Sequence, residues 1–133
     1  MKKFILIHSL KGHGKTSTAN MIENELSKLY NTKQLILADP IREMLSRAFE
    51  VPFDVFDHED IKNAPNEDLY GESPRKVIQL FGTEFAHNCF GENIWCRITE
   101  NRANALSQST DIFIIPMFVS YTKLSILKIK CFI

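Results

Sequence analysis

One stretch near the N-terminus limits what this chain can become. An apolar run, Phe4-Ile5-Leu6-Ile7, leads through Ser9-Leu10-Lys11 into Gly12-His13-Gly14-Lys15-Thr16. A short apolar run bounded by a turn signal predicts a buried strand over 3–8. Beyond the glycines, Ala19, Ile22, Leu26 and Leu29 recur at helical spacing, which predicts a helix over 15–29. Strand, glycine turn and helix in that order make a restrictive arrangement. Glycines permit the dihedrals that crowd several backbone N–H groups around one point. The helix aims its positive end at the same point, so an anion is the expected occupant.

The lysine after the last glycine and the hydroxyl after it sharpen that expectation. In such a loop the lysine reaches the β and γ phosphates of a nucleotide and the hydroxyl holds Mg²⁺. The candidate nucleotide-binding residues are therefore Lys11, Gly12, His13, Gly14, Lys15, Thr16 and Ser17, with Thr16 as the metal ligand. A glycine normally opens the loop, and here Ser9 stands in its place; at an ordinary negative φ a serine costs little. A chance Gly-Lys-Thr is the alternative, and the match of both flanking elements weighs against it.

The rest of the chain continues the pattern. Residues 34–38, Gln-Leu-Ile-Leu-Ala, are a second candidate strand. Asp39-Pro40 suits a helix start, with Asp39 as N-cap and Pro40 in the first helical position. That helix carries Met44, Leu45 and Phe49. Residues 50–72 gather Glu50, Asp54, Asp57, Glu59, Asp60, Glu67 and Asp68 against Lys62, and are expected as a mobile loop or small lobe. Ser73-Pro74 repeats the cap signal, 92–107 reads as a further helix, and 111–116, Asp-Ile-Phe-Ile-Ile-Pro, as a third strand. Strands separated by helical crossovers imply parallel pairing in an α/β sheet.

Bulk properties exclude several classes. Lys plus Arg and Asp plus Glu number 16 each, so overall charge argues for neither nucleic acid nor a membrane surface. No apolar run approaches the roughly 20 residues that span a bilayer. No leader peptide is expected, because the short N-terminal apolar run has no small-residue cleavage site behind it. Cys89, Cys96 and Cys131 show no paired spacing and read as reduced thiols in a cytoplasmic protein. A chain of 133 residues is expected to form a single domain. Asp57-His58-Glu59-Asp60 has metal-ligand residue types, but a solvated acidic loop is the stronger reading.

Three segments together resemble a known family. The glycine loop, Leu-Ala-Asp-Pro-Ile-Arg-Glu-Met-Leu over 37–45, and the string from Ser73 to Trp95 containing Arg75, Gln79, Gly82-Thr83-Glu84 and Trp95 are similar to the deoxynucleoside monophosphate kinases of phages and bacteria. The resemblance runs in order over 4–116. It implies a P-loop kinase fold, a three-layer α/β sandwich around a parallel sheet, and transfer of the γ-phosphoryl group of ATP to a deoxynucleoside 5′-monophosphate with Mg²⁺. Lys15, Arg42 and Arg75 then carry catalysis. Asp39, Arg42, Arg75, Gln79, Thr83 and Trp95 line the acceptor site. The partners are the two nucleotides, without nucleic acid or membrane, and a homodimer is compatible.

The residues bear on this separately. From Ser73, steps of 100° place Arg75, Gln79 and Thr83 on one side of a helix and Val77, Leu80 and Phe81 on the other. A guanidinium suits phosphate and an amide suits a base edge. The competing reading is an amphipathic helix with a solvated polar face, with Arg42 an exposed helix charge and Trp95 a core residue. Glu84 falls on the apolar side by the same count and is expected to pair with a cation or a backbone group. Where the family often carries an arginine, three residues past Gly-Thr-Glu, this chain has His87, which is mostly neutral at pH 7. That predicts weaker phosphate binding if the position contributes.

The resemblance stops after Pro116. The family continues with Asp-Val-Arg-Phe, whose acid serves the metal and whose arginine neutralises the transferring group. This chain has Met117-Phe118-Val119-Ser120-Tyr121-Thr122-Lys123, and 117–133 contains no acid. One set of synonymous codons for that stretch, ATG TTC GTT TCT TAT ACG AAA, reads Asp-Val-Arg-Phe-Leu-Tyr-Glu when a single G is placed in front. An out-of-frame tail and missing C-terminal strands are therefore expected, and the gene sequence around codon 117 tests this. The alternative is a diverged short member whose tail supplies a replacement strand. The functional rivals are a nucleotide-binding remnant without turnover, another small-molecule P-loop kinase such as a dephospho-coenzyme A kinase, and an unstable fragment.

Overall fold

The computed structural model describes residues 3–9 and 15–118, with the side chains of His8, Ser9, Lys15, Met117 and Phe118 outside the description. In chain order the elements are β1 (Lys3–Ser9), α1 (Lys15–Leu26), β2 (Thr32–Gln34), α2 (Asp39–Phe49), α3 (Asp54–Asp57), a 3₁₀ turn (Glu67–Leu69), α4 (Pro74–Gln79), a π-helical segment (Leu80–Phe85), α5 (Ala86–Phe90), α6 (Ile94–Ala105) and β3 (Ile112–Phe118). They gather into two compact units, Met1–Leu37 with Trp95–Ile133, and Ala38–Ile94.

The first unit is built on a parallel sheet of order β1-β3-β2. β3 pairs with β1 from Lys3↔Ile112 to Ser9↔Phe118, and with β2 from Thr32↔Ile112 to Gln34↔Ile114. The side-chain period of two sorts the apolar residues onto two faces. Ile112 and Ile114, with Ile5 and Ile7, pack against Ala19, Ile22 and Leu26 of α1. Phe113 and Ile115, with Phe4 and Leu6, pack against Leu35, Leu37, Trp95, Cys96, Ala103 and Leu106. Helices therefore cover both faces, which is why β1 and β3 read as continuous apolar runs rather than alternating ones. The rings of Phe4 and Phe113 stack at 5.5 Å between centroids.

Pro116 lies in the central strand, where a missing N–H would break a ladder. Its position avoids that. The Ile114 carbonyl accepts from Leu35 N at 2.9 Å, so alternate residues 112, 114 and 116 turn their polar groups toward β2. β2 ends at Gln34, opposite Ile114, so Pro116 falls past the last β2 partner. At that level β3 pairs only with β1, through Ile7↔Pro116.

Three expected boundaries change. The strand predicted over 34–38 lies at Thr32–Gln34, and Leu35 and Leu37 instead drop into the core just beyond it. α1 stops at Leu26, so Leu29, expected on the buried stripe, is 81 % exposed. Asp39 does not cap α2: it is the first helical residue, Ala38 holds the cap position without a side-chain bond, and Pro40 is the second helical residue rather than the first.

The second unit buries Ile41 and Leu45 of α2, Phe56 of α3, Leu69 of the 3₁₀ turn, and Pro74 and Val77 of α4. The stretch expected as a loop over 50–72 thus carries two short helical turns and inserts Val51, Phe56 and Leu69 into the interior. Ser73 caps α4 as predicted, its hydroxyl accepting from Lys76 N at 3.3 Å.

The π-helical segment overturns the predicted facing of 77–84. The buried positions run Pro74, Val77, Gly82, Ala86, and the step from Val77 to Gly82 is one residue longer than an α-helical turn allows. Steps of 100° therefore fail beyond Gln79. Leu80 and Phe81, expected to pack, are exposed at 38 % and 40 %, and Glu84 is exposed rather than buried. A Cβ on Gly82 would lie 3.5 Å from Ile41 Cγ1, in ordinary van der Waals contact with α2.

Two substitutions separate this arrangement from the one the periodicity implied. Ile114→Ala, at a fully buried position in β3, is expected to cost about 2–5 kcal/mol. Leu29→Ala is expected to change stability by no more than about 0.5 kcal/mol. Urea denaturation of both variants measures the contrast.

Candidate functional site

Each unit holds one group of candidate residues. The first is the end of β1 and the start of α1. Lys11, Gly12, His13 and Gly14 lie outside the described residues. What is described is their setting: β1 ends at Ser9 and α1 begins at Lys15, so the glycine stretch joins the carboxyl end of a parallel strand to a helix N-terminus. No acidic residue occupies the first turn of α1, and Thr16 and Ser17 are exposed there. The positive helix end is thus not neutralised by its own carboxylates. A lysine at the first helical position and an exposed hydroxyl at Thr16 are residue types that suit an anion and a divalent cation.

The carboxyl end of β3 is the neighbouring position in the sheet. The register sets Met117 beside His8 and Phe118 beside Ser9. The acid and arginine that the family resemblance expects past Pro116 would start here, next to the glycine stretch. The remaining tail, 119–133, lies outside the described residues.

The second part is a cluster of charges within Ala38–Ile94. Arg42, in the first turn of α2, is only 20 % exposed in its side chain. Its Nη1 lies 3.3 Å from Asp39 Oδ1 and 3.0 Å from Asp57 Oδ1. Arg42 Nε is buried, with no hydrogen-bond partner among the described residues. Arg75 of α4 places Nη2 3.7 Å from Glu59 Oε2. Glu59 also pairs with Lys62, whose side chain is 16 % exposed, and the Lys62 carbonyl accepts from Arg75 N at 2.8 Å. The acidic loop predicted as merely solvated therefore engages both arginines singled out in the sequence. Among the described residues, no group of three His, Cys, Asp or Glu side chains could hold a metal ion.

The other candidates are dispersed. Gln79 ends α4 and Thr83 lies in the π-helical segment, both exposed. Trp95 belongs to the first unit, half-buried against the core formed with Leu35, Leu37 and Phe113. His87 lies in α5 with Nε2 buried and without a partner among the described residues. Sequence reasoning did not find Asp57, Glu59 and Lys62 as partners of the arginines. The Glu59–Lys62 spacing was readable as a helical pair, but Arg42 and Asp57 meet only through the packing of α2 and α3.

Comparison with known proteins adds no relative: no family model, curated protein or solved structure matches the chain.

Burial of Asp39 raises its pKa above the ordinary carboxylate value, with Glu43 and Asp57 adding to the rise and Arg42 opposing it. The folded chain therefore holds this proton more tightly than the unfolded chain. The stability this contributes is complete below the unfolded pKa and is lost as pH rises through the folded one. Asp39→Asn removes that dependence. Between about pH 3 and 7, stability of the wild type should fall relative to that of the variant, read from urea midpoints taken across the range.

Proposed function

We propose that this chain is a P-loop phosphotransferase that moves the γ-phosphoryl group of ATP to a deoxynucleoside 5′-monophosphate. One observation carries the reading. Lys15 is the first residue of α1, and the glycine stretch before it starts at the carboxyl end of a parallel strand. In open α/β sheets phosphates bind at that end of the strands, against a helix N-terminus.

In this mechanism the loop amides and Lys15 hold the triphosphate, and Thr16 holds Mg²⁺, which supplies charge neutralisation when bound. Arg42 and Arg75 bind the acceptor's phosphate, since guanidinium groups match its oxygens in pairs. Asp39 orients Arg42 through their contact at 3.3 Å. Gln79 and Thr83 are the polar groups offered to the base and sugar, and Trp95 is the residue offered for stacking. The attacking oxygen belongs to a phosphate monoester that is ionised near neutral pH, so no strong general base is required. Positioning and charge then provide most of the rate.

A second reading is favoured by the carboxyl end of β3. Met117 and Phe118 stand there beside His8 and Ser9, where the family resemblance expects an acid and an arginine. A chain that binds ATP without transferring phosphate fits that difference. A dephospho-coenzyme A kinase remains the rival within P-loop kinases. No described helix is long and apolar enough to cross a membrane.

Coupled detection of ADP with each of the four deoxynucleoside monophosphates, and with dephospho-coenzyme A, tests the proposal. Turnover with one or more deoxynucleotides is expected. Lys15→Ala should lower kcat by about 10²-fold or more, and Arg75→Ala should raise the KM for the acceptor. ATP binding that depends on Lys15, without turnover, would leave the binding-only reading; turnover confined to dephospho-coenzyme A would favour the rival.

A further inference from the structure

The two arginines assigned to the acceptor phosphate are already engaged by carboxylates from one short segment. Asp57, at the end of α3, contacts Arg42 Nη1 at 3.0 Å. Glu59, two residues on, lies 3.7 Å from Arg75 Nη2 and also pairs with Lys62. Three cations, Arg42, Lys62 and Arg75, thus face three carboxylates, Asp39, Asp57 and Glu59. The cluster is balanced without any ligand.

The geometry at Arg42 decides how an anion can enter. A guanidinium binds a phosphate in pairs, through Nε and one terminal nitrogen or through both terminal nitrogens. The first edge is closed, because Nε is buried. The second edge includes Nη1, which Asp39 and Asp57 share. Asp39 sits on the same helix, one turn away, so its backbone keeps it beside Arg42. Asp57 comes from a separate four-residue helix, and its side chain is 53 % exposed, against 30 % for Asp39. It is the partner that can be exchanged. Glu59, 69 % exposed, stands in the same relation to Arg75.

We propose that Asp57 and Glu59 form an internal anion latch: they occupy Arg42 and Arg75 until the phosphate of the acceptor displaces them, and acceptor binding releases the α3 segment. The latch rests on the assignment of these arginines to the acceptor. It implies a phosphate monoester dianion as the displacing group, since its two charges take the place of two carboxylates at the guanidinium groups. Exposed carboxylates hold arginines weakly, so the latch is readily opened and discriminates against weaker anions.

Isothermal titration of the full-length wild type, Asp57→Asn, Glu59→Gln and the double variant tests this, with inorganic phosphate, the four deoxynucleoside monophosphates and the matching deoxynucleosides as titrants. Each single variant should bind phosphate and at least one monophosphate about two- to fivefold more tightly, the double variant more tightly still, and the deoxynucleosides with unchanged affinity. Equal or weaker phosphate binding in both single variants overturns the latch, as does an absence of phosphate binding in all four proteins. If phosphate binding tightens while no monophosphate binds better than phosphate itself, the latch stands and the acceptor assignment falls. Thermal melts of each variant confirm that the exposed substitutions leave the fold intact.

Discussion

The burial of β3 is the constraint from which the rest of the first unit follows. It is the central strand among the described residues, paired on one side with β1 and on the other with β2, with Phe113 and Ile114 wholly removed from solvent. A parallel strand covered on both faces needs a helix against each. α1 supplies one through Ala19 and Ile22, and α6 the other through Cys96 and Ala103. The same pairing brings the carboxyl ends of β1 and β3 level, Ser9 beside Phe118. Where phosphate chemistry could occur is therefore a consequence of how the core is built.

The second unit is organised differently. Its helices are short, and two of its ion pairs, Arg42–Asp57 and Arg75–Glu59, join separate segments. Arg42 meets carboxylates from α2 and α3, and Arg75 is held near the segment that follows α3. Partly buried cations persist only with partners of opposite charge. Two acids of the 50–70 stretch, Asp57 and Glu59, serve as those partners. Binding an external anion there means exchanging one set of negative partners for another.

Much of the secondary structure is legible because its signals are local. Apolar runs of strand length, the helical stripe after Lys15, and the Ser73-Pro74 start each depend on neighbours within a few residues. The misses have local causes too. The run over 34–38 was read as a strand, yet only Thr32–Gln34 faces β3, so Leu35 and Leu37 serve the core from beyond the ladder. Leu29 continued the spacing after α1 had ended. Phe81 and Glu84 were misplaced because an i→i+5 segment intervenes, and nothing in a 100° count announces one.

The sequence alone determined the alternation of strands and helices and the placing of Gly12-His13-Gly14 between β1 and α1, since hydrophobic period and glycine dihedrals act over short distances. It also singled out Arg42 and Arg75. Tertiary structure decided which charges those arginines meet, that Phe81 turns outward while Gly82 packs toward Ile41, and that Met117 lies beside His8. Those facts depend on the packing of α2 against α3, on one extra residue in a helical turn, and on strand register. The first and last are set by contacts between residues far apart in the chain, and the extra residue leaves no mark in a 100° count.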